Sequence, residues 1–213
     1  MRLELLDAAL AAVRPLLQRG SPRVIVGIAG PPAAGKSTLA VALAAAATAR
    51  LSVTAVEVPM DGFHLANAEL ARLGLADRKG APETFDAAGF VHLLRRLHAA
   101  DPAEIVYAPA FSRVLNESIG SAIPVAPDVR LVVVEGNYLL VPDPPWAGVR
   151  PLLDLAIYVD AGDTTRYRSL LRRHVARGLD NDAAHDWVVR SDEANARLIA
   201  QTRDRADLVL RRG

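Results

Sequence analysis

Residues 23–50 read RVIVGIAGPPAAGKSTLAVALAAAATAR, and three consecutive pieces of that run decide the fold. Residues 23–28 are short, apolar and β-branched, as a strand buried on both faces is. Residues 30–37, GPPAAGKS, match the pattern glycine, four residues, glycine, lysine, then serine or threonine. Residues 36–50 form an alanine-rich helical run. A strand that feeds a glycine-rich turn opening a helix aims backbone N–H groups and a helix N-terminus at one point, which is an anion site. Gly30 and Gly35 permit the turn and a close approach, and Pro31, Ala33 and Ala34 supply the loop backbone between them. In this reading Lys36 reaches the β- and γ-phosphates of a nucleotide, the Ser37 hydroxyl ligates Mg2+, and Thr38 lines the α-phosphate side. The pattern arises by chance in on the order of 1% of chains of this length. A Gly-Pro turn capping an alanine-rich helix is the competing reading.

Outward from that run, strand and helix signals alternate. Residues 52–58, 104–107, 130–135, 155–160 and 207–210 read as further buried parallel strands. Residues 87–100 and 164–177 have helical length and spacing, with Asp86 and Ser191 as N-caps. This alternation predicts a three-layer α/β fold with a mainly parallel central sheet. Residues 1–20 read as an amphipathic surface helix, and residues 108–128 as a substrate loop or small hairpin. A chain of 213 residues, 51% hydrophobic, suits one domain over residues 1–213. The net charge is +1, so no global field holds a nucleic-acid backbone or an acidic membrane. With no cysteine, thiolate catalysis and disulfides are excluded, and the cytoplasm is the expected location. No apolar run reaches the roughly 18 residues of a membrane span. The histidines His64, His92, His98, His174 and His185 lack zinc-ligand spacing.

A phosphate loop is shared by GTPases, transport ATPases and metabolite kinases, so the remaining residues must discriminate. No Asn-Lys-x-Asp guanine-reading motif is present. Asp61, in VPMDGFH, lies where the chain leaves the second strand, on the side of an open α/β sheet where ligands bind. A carboxylate there suits a general base for a hydroxyl acceptor, and an Asp-Gly turn is the alternative. Glu135 closes the run LVVVE and is placed to hold Mg2+, or to cap a turn at Gly136. Residues 163–178 carry Arg166, Arg168, Arg172, Arg173 and Arg177, of which Arg166, Arg173 and Arg177 fall near one helical face. An arginine-rich lid that closes on a transferring phosphoryl group needs such donors, while a solvated helix face explains them equally.

Taken together, GPPAAGKST (30–38), MDGFHL (60–65), RKGAPETFD (78–86), YAPAFSR (107–113), VVVEGNYLL (132–140) and the arginine segment resemble the phosphoribulokinase, uridine kinase and pantothenate kinase family of phosphate-loop metabolite kinases. The likeness runs from Val24 to about Leu210 and is closest to bacterial nucleoside/nucleotide kinase-like members, some labelled fructose-transport kinases. It implies the fold of the phosphate-loop nucleoside triphosphate hydrolases with an arginine-rich lid helix. It also implies ATP- and Mg2+-dependent phosphorylation of a hydroxyl on a small metabolite: a sugar such as fructose, a nucleoside or a pantothenate-like alcohol. Lys36, Asp61 as base and Arg166 would be catalytic, and Arg173 would contact phosphate. Arg78, Lys79, Glu83, Asp86, Tyr107, Phe111 and Arg113 would line the acceptor site, with helix N-capping the alternative for Asp86. The expected partners are the acceptor and, as an option, a second copy of the chain. A nucleotide-binding switch without a metabolite acceptor is the alternative from another class.

Overall fold

The computed structural model describes residues 3–176 and 178–212. In chain order the strands are β1 (Val24–Ala29), β2 (Ala55–Pro59), β3 (Val106–Ser112), β4 (Glu117–Val125), β5 (Leu131–Glu135), β6 (Leu155–Ala161) and β7 (Leu208–Arg212). Five of them form a parallel sheet in the order β2-β5-β1-β6-β7, and β3 pairs with β4 in a separate antiparallel hairpin. The α-helices are α1 (Leu3–Gln18), α2 (Lys36–Leu51), α3 (Asn67–Arg72), α4 (Ala87–Ala99), α5 (Asp163–Val175), α6 (Asn181–Trp187) and α7 (Glu193–Ala200). Among the described residues no helix is long and apolar enough to cross a membrane.

Side chains alternate across a strand, so a sheet covered on both faces needs apolar residues at every position. Val24, Val26 and Ile28 of β1 and Leu131 and Val133 of β5 pack with α1 and α2. Ile25 and Ala29, with Val132 and Val134, face the opposite layer, where Phe90, Leu94 and Leu97 of α4 and Ile199 of α7 lie. The helices on the two faces complete the three layers. Trp146 is buried against Phe85, Phe90 and Tyr138 and belongs to this second core.

Two expectations change, and the small hairpin expected at 108–128 is present. The run at 104–107 is not a central strand: β3 begins at Val106 and joins the hairpin, burying Val106 and Ala108 while Tyr107 is exposed. That period of two serves one covered face, whereas a central strand requires two. The 108–128 segment is accordingly built into β3 and β4, with a register shift between Ala108 and Ala110. Ser191 caps no helix, because it lies within a π-helical turn, Val188–Asp192, that runs directly into α7. Asp86, by contrast, is the N-cap of α4, its Oδ1 accepting from the Gly89 N–H at 2.8 Å.

Candidate active site at the carboxyl ends of the strands

The register aligns Ile28 with Glu135 and Glu135 with Pro59, so β1, β5 and β2 end level with one another. Everything the three strands release at that edge converges. From β1 the chain enters the loop 30–35, where Gly30 has φ +146° and a Cβ on it would lie 2.5 Å from the Val159 carbonyl oxygen. Only glycine allows both that backbone and that approach to β6. Ala33 and Gly35 also have positive φ, 61° and 102°, and the loop delivers Lys36 as the first residue of α2.

Lys36 is buried, and its Nζ donates to Asn137 Oδ1 at 2.7 Å and to the Pro31 carbonyl at 3.0 Å. Burial pushes the ammonium below its usual range, while Glu135 and Asp61 pull it back. Glu135, the buried last residue of β5, is pushed upward by burial and drawn down by Lys36. Ser37 Oγ donates to Glu135 Oε1 at 3.1 Å. A hydroxyl and a carboxylate oxygen beside a phosphate loop form a hard donor set, which suits a magnesium ion that also takes phosphate oxygens and water.

Asp61 lies in a 3-10 turn, Met60–Phe63, directly after β2, and its charge reaches Lys36, Glu135 and Tyr138. The Asp-Gly turn and a carboxylate charge within reach of the cluster thus coexist at this position. The Asp61 carbonyl oxygen lies 2.8 Å from His64 Nδ1. The His64 ring packs on Phe85 and, at 4.7 Å between centroids, on Phe111 of the hairpin. Lys79 Nζ sits 5.3 Å from the Phe111 centroid and donates to Asn67 Oδ1 and, at 2.7 Å, to the Asn116 carbonyl. The Asp61 turn, the rings and the Lys79 ammonium are therefore linked through successive contacts. Tyr138 joins the 78–86 stretch to the same edge, its hydroxyl donating to the Gly80 carbonyl at 2.5 Å. Burial and the Glu83 and Asp61 charges raise that hydroxyl well above its ordinary range.

Other expected acceptor residues sit farther out. Arg78 and Glu83 form an exposed ion pair at 2.5 Å. Tyr107 is exposed on β3, and Arg113 is exposed next to the hairpin turn. On the lid helix α5, Arg166 is 2% exposed and Arg173 half-buried, and both charges act on Lys36. Arg177 lies outside the described residues. The structure adds residues that the sequence did not single out. Asn137 holds Lys36, Asn67 and the Asn116 carbonyl hold Lys79, Glu193 pairs with Arg166, and Arg212 reaches the Ala34 carbonyl at 3.4 Å. Only Asn137, two residues after Glu135 in the EGN triplet, carried a local signal.

Known proteins resemble this chain in sequence and fold. The Phosphoribulokinase / Uridine kinase family matches residues 25–213. A solved structure named a "putative fructose transport system kinase", from Silicibacter sp. TM1040, is 40% identical, with a TM-score of 0.84, covering 94% of this chain and 98% of its own. A "putative uridine kinase" of Schizosaccharomyces pombe is 33% identical over 201 residues, covering 91% of this chain and 85% of that protein. A pantothenate kinase of Limosilactobacillus reuteri is 37% identical over 151 residues, covering 68% of this chain and 48% of that protein. The chain belongs to the phosphoribulokinase/uridine kinase family. It is a phosphotransferase that uses ATP to phosphorylate the hydroxyl group of a small metabolite.

Proposed function

We propose that the chain phosphorylates a polyhydroxylated metabolite, a ketohexose-like sugar before a nucleoside or a pantothenate-like alcohol, with Asp61 as the base. One observation carries this reading: Lys36, the Ser37–Glu135 pair and Asp61 come from the ends of three adjacent strands onto one edge. The acceptor hydroxyl gives its proton to the Asp61 carboxylate as its oxygen bonds to the γ-phosphorus, and the bond to the β-phosphate oxygen breaks to release ADP. Lys36, Arg166 and Arg173 offset the charge that develops on the transferring group. Ser37 and Glu135 would hold Mg2+, which when bound neutralises phosphate charge. The His64, Phe85 and Phe111 rings suit the apolar faces of a sugar, with Lys79 and Asn67 near its hydroxyls. The sugar is placed first because the relative that is 40% identical carries a fructose-transport name.

Beside Thr38 and the loop residues Ala34 and Gly35 lies a cavity of about 180 Å³, lined also by Leu5, Val159 and Arg212. It would take the base end of the nucleotide. Its Leu5 wall comes from α1, which precedes the family match.

The test is ADP release from Mg·ATP with a panel of ketohexoses, other sugars, nucleosides and pantothenate. Asp61→Asn is expected to lower turnover by about 10²-fold or more, with the ATP KM within about threefold of wild type. Unchanged turnover would remove Asp61 from the chemistry. Slow hydrolysis indifferent to every acceptor would favour the nucleotide switch.

A further inference from the structure

Arg166 is 2% exposed, and a guanidinium is costly to bury without a partner. Its Nη2 donates to both carboxylate oxygens of Glu193, at 2.9 and 3.2 Å, and to Asp163 Oδ1 at 3.1 Å, while Nη1 points to the Pro32 carbonyl at 3.4 Å. The two acids are unequal. The Asp163 side chain is 92% exposed and screened by water, whereas that of Glu193 is 27% exposed and grips through both oxygens. One end of the Arg166 guanidinium is therefore fixed by Glu193 while the group lies against the phosphate loop.

The backbone around Glu193 is itself held. The preceding residue, Asp192, places Oδ2 2.8 Å from His174 Nε2, and Asn195 Nδ2 donates to the Gly80 carbonyl at 3.4 Å. Asp192 and Glu193 thus grasp the lid helix at two points, and Asn195 ties the same turn of α7 to the acceptor-side stretch. The π-helical turn Val188–Asp192 sets this register, because its wider i→i+5 closure shifts the residues after it relative to an uninterrupted α-helix.

We propose that Glu193 is a positioning residue that holds the Arg166 guanidinium where it meets the charge developing on the transferred phosphoryl group. An unrestrained arginine occupies many rotamers, and a carboxylate clamp selects one before the reaction begins. The inference rests on the proposed role of Arg166, so its test keeps the two separable and needs no identified acceptor.

The experiment measures binding of Mg·ADP to the full chain with and without aluminium fluoride, which imitates the planar phosphoryl group. The readout is the gain in affinity that the fluoride complex brings. Arg166→Ala and Glu193→Gln are each expected to cut that gain by about tenfold or more, and the double variant no further, as coupled residues do. A wild-type gain in Glu193→Gln beside a reduced one in Arg166→Ala would overturn the proposal alone. Additive losses in the double variant would also overturn it, since Glu193 would then act independently of Arg166. A wild-type gain in Arg166→Ala, or no gain in the wild type, would overturn the reading of Arg166 itself and the proposal with it. Should Glu193→Gln fail to fold, Glu193→Asp keeps the charge but draws the carboxylate back, and a partial loss of the gain is expected; an undiminished gain overturns the clamp.

Discussion

Gly62 follows Asp61 in the turn after β2, and replacing it with alanine asks how firmly the hairpin fixes the base. A Cβ at Gly62 would lie 2.3 Å from the Pro109 carbonyl oxygen and 2.7 Å from its carbon. An ordinary carbon-to-oxygen approach is about 3.3 Å, so roughly 1 Å must be found. Pro109 lies where the β3–β4 register shifts, and the obstructing atoms are backbone, so no rotamer change relieves the overlap. Either the hairpin lifts, loosening the 2.9 Å hydrogen bond that Ser118 Oγ donates to the His64 carbonyl, or the turn swings and carries Asp61 away. Overpacking of this kind costs about 1–3 kcal/mol. At about 2–4 °C per kcal/mol for a chain of this size, the melting midpoint falls by roughly 2–12 °C. A displacement of about 1 Å at the base costs on the order of 10²-fold in turnover. The ATP KM stays near wild type, because the phosphate loop is untouched. Thermal melting and ADP-release kinetics on Gly62→Ala check both halves. Wild-type melting together with wild-type turnover would refute the idea that contact with the hairpin positions Asp61.

Leu5→Trp fills the cavity beside Thr38 and is expected to weaken ATP binding by about tenfold while leaving Mg·tripolyphosphate binding unchanged, since that ligand has no base. Calorimetry with the two ligands checks it, and equal weakening of both would point to a damaged phosphate loop instead. Glu57 of β2 has its carboxyl raised above the ordinary value of 4.5, first by burial and then by the Asp61 charge. A raised carboxyl binds more protons in the folded state than in the unfolded one, so stability falls as pH rises from that value toward neutrality. Glu57→Gln is therefore expected to melt higher than wild type at pH 7, with the gap closing below pH 4.5; melting curves across that range showing a constant gap would contradict the assigned cause.

What could be read from the sequence is what local chemistry determines. The phosphate loop is legible because strand, glycine turn and helix N-terminus are contiguous, and Asp86 is legible as a cap because its partner is Gly89, three residues on. The 104–107 run misleads because Ile105, Val106 and Tyr107 have the composition of a buried strand, whereas of the three only Val106 is buried. Ser191 misleads for a different reason. A serine before a helical run normally caps it, but here the run continues upstream through a π turn, which has no distinct residue signature.

The illegible contacts share a property, which is separation along the chain. Lys36 meets Asn137 across 101 residues, and Arg166 meets Glu193 across 27. Both partners do the same physical work, which is to fix a buried cation in one orientation, and on the proposed mechanism each cation meets phosphate charge. A lysine on a flexible stem and an arginine on a lid helix would each have to be ordered during every turnover if nothing held them beforehand. The sheet edge supplies one holder from the loop after β5, and α7 supplies the other from the far end of the chain. The EGN triplet marks Asn137 but not its partner, and Glu193 carries no motif at all, because any acceptor with the right reach will serve. Their identity is set by where the fold brings the backbone, and so they emerge only when the strands and the lid are assembled in space.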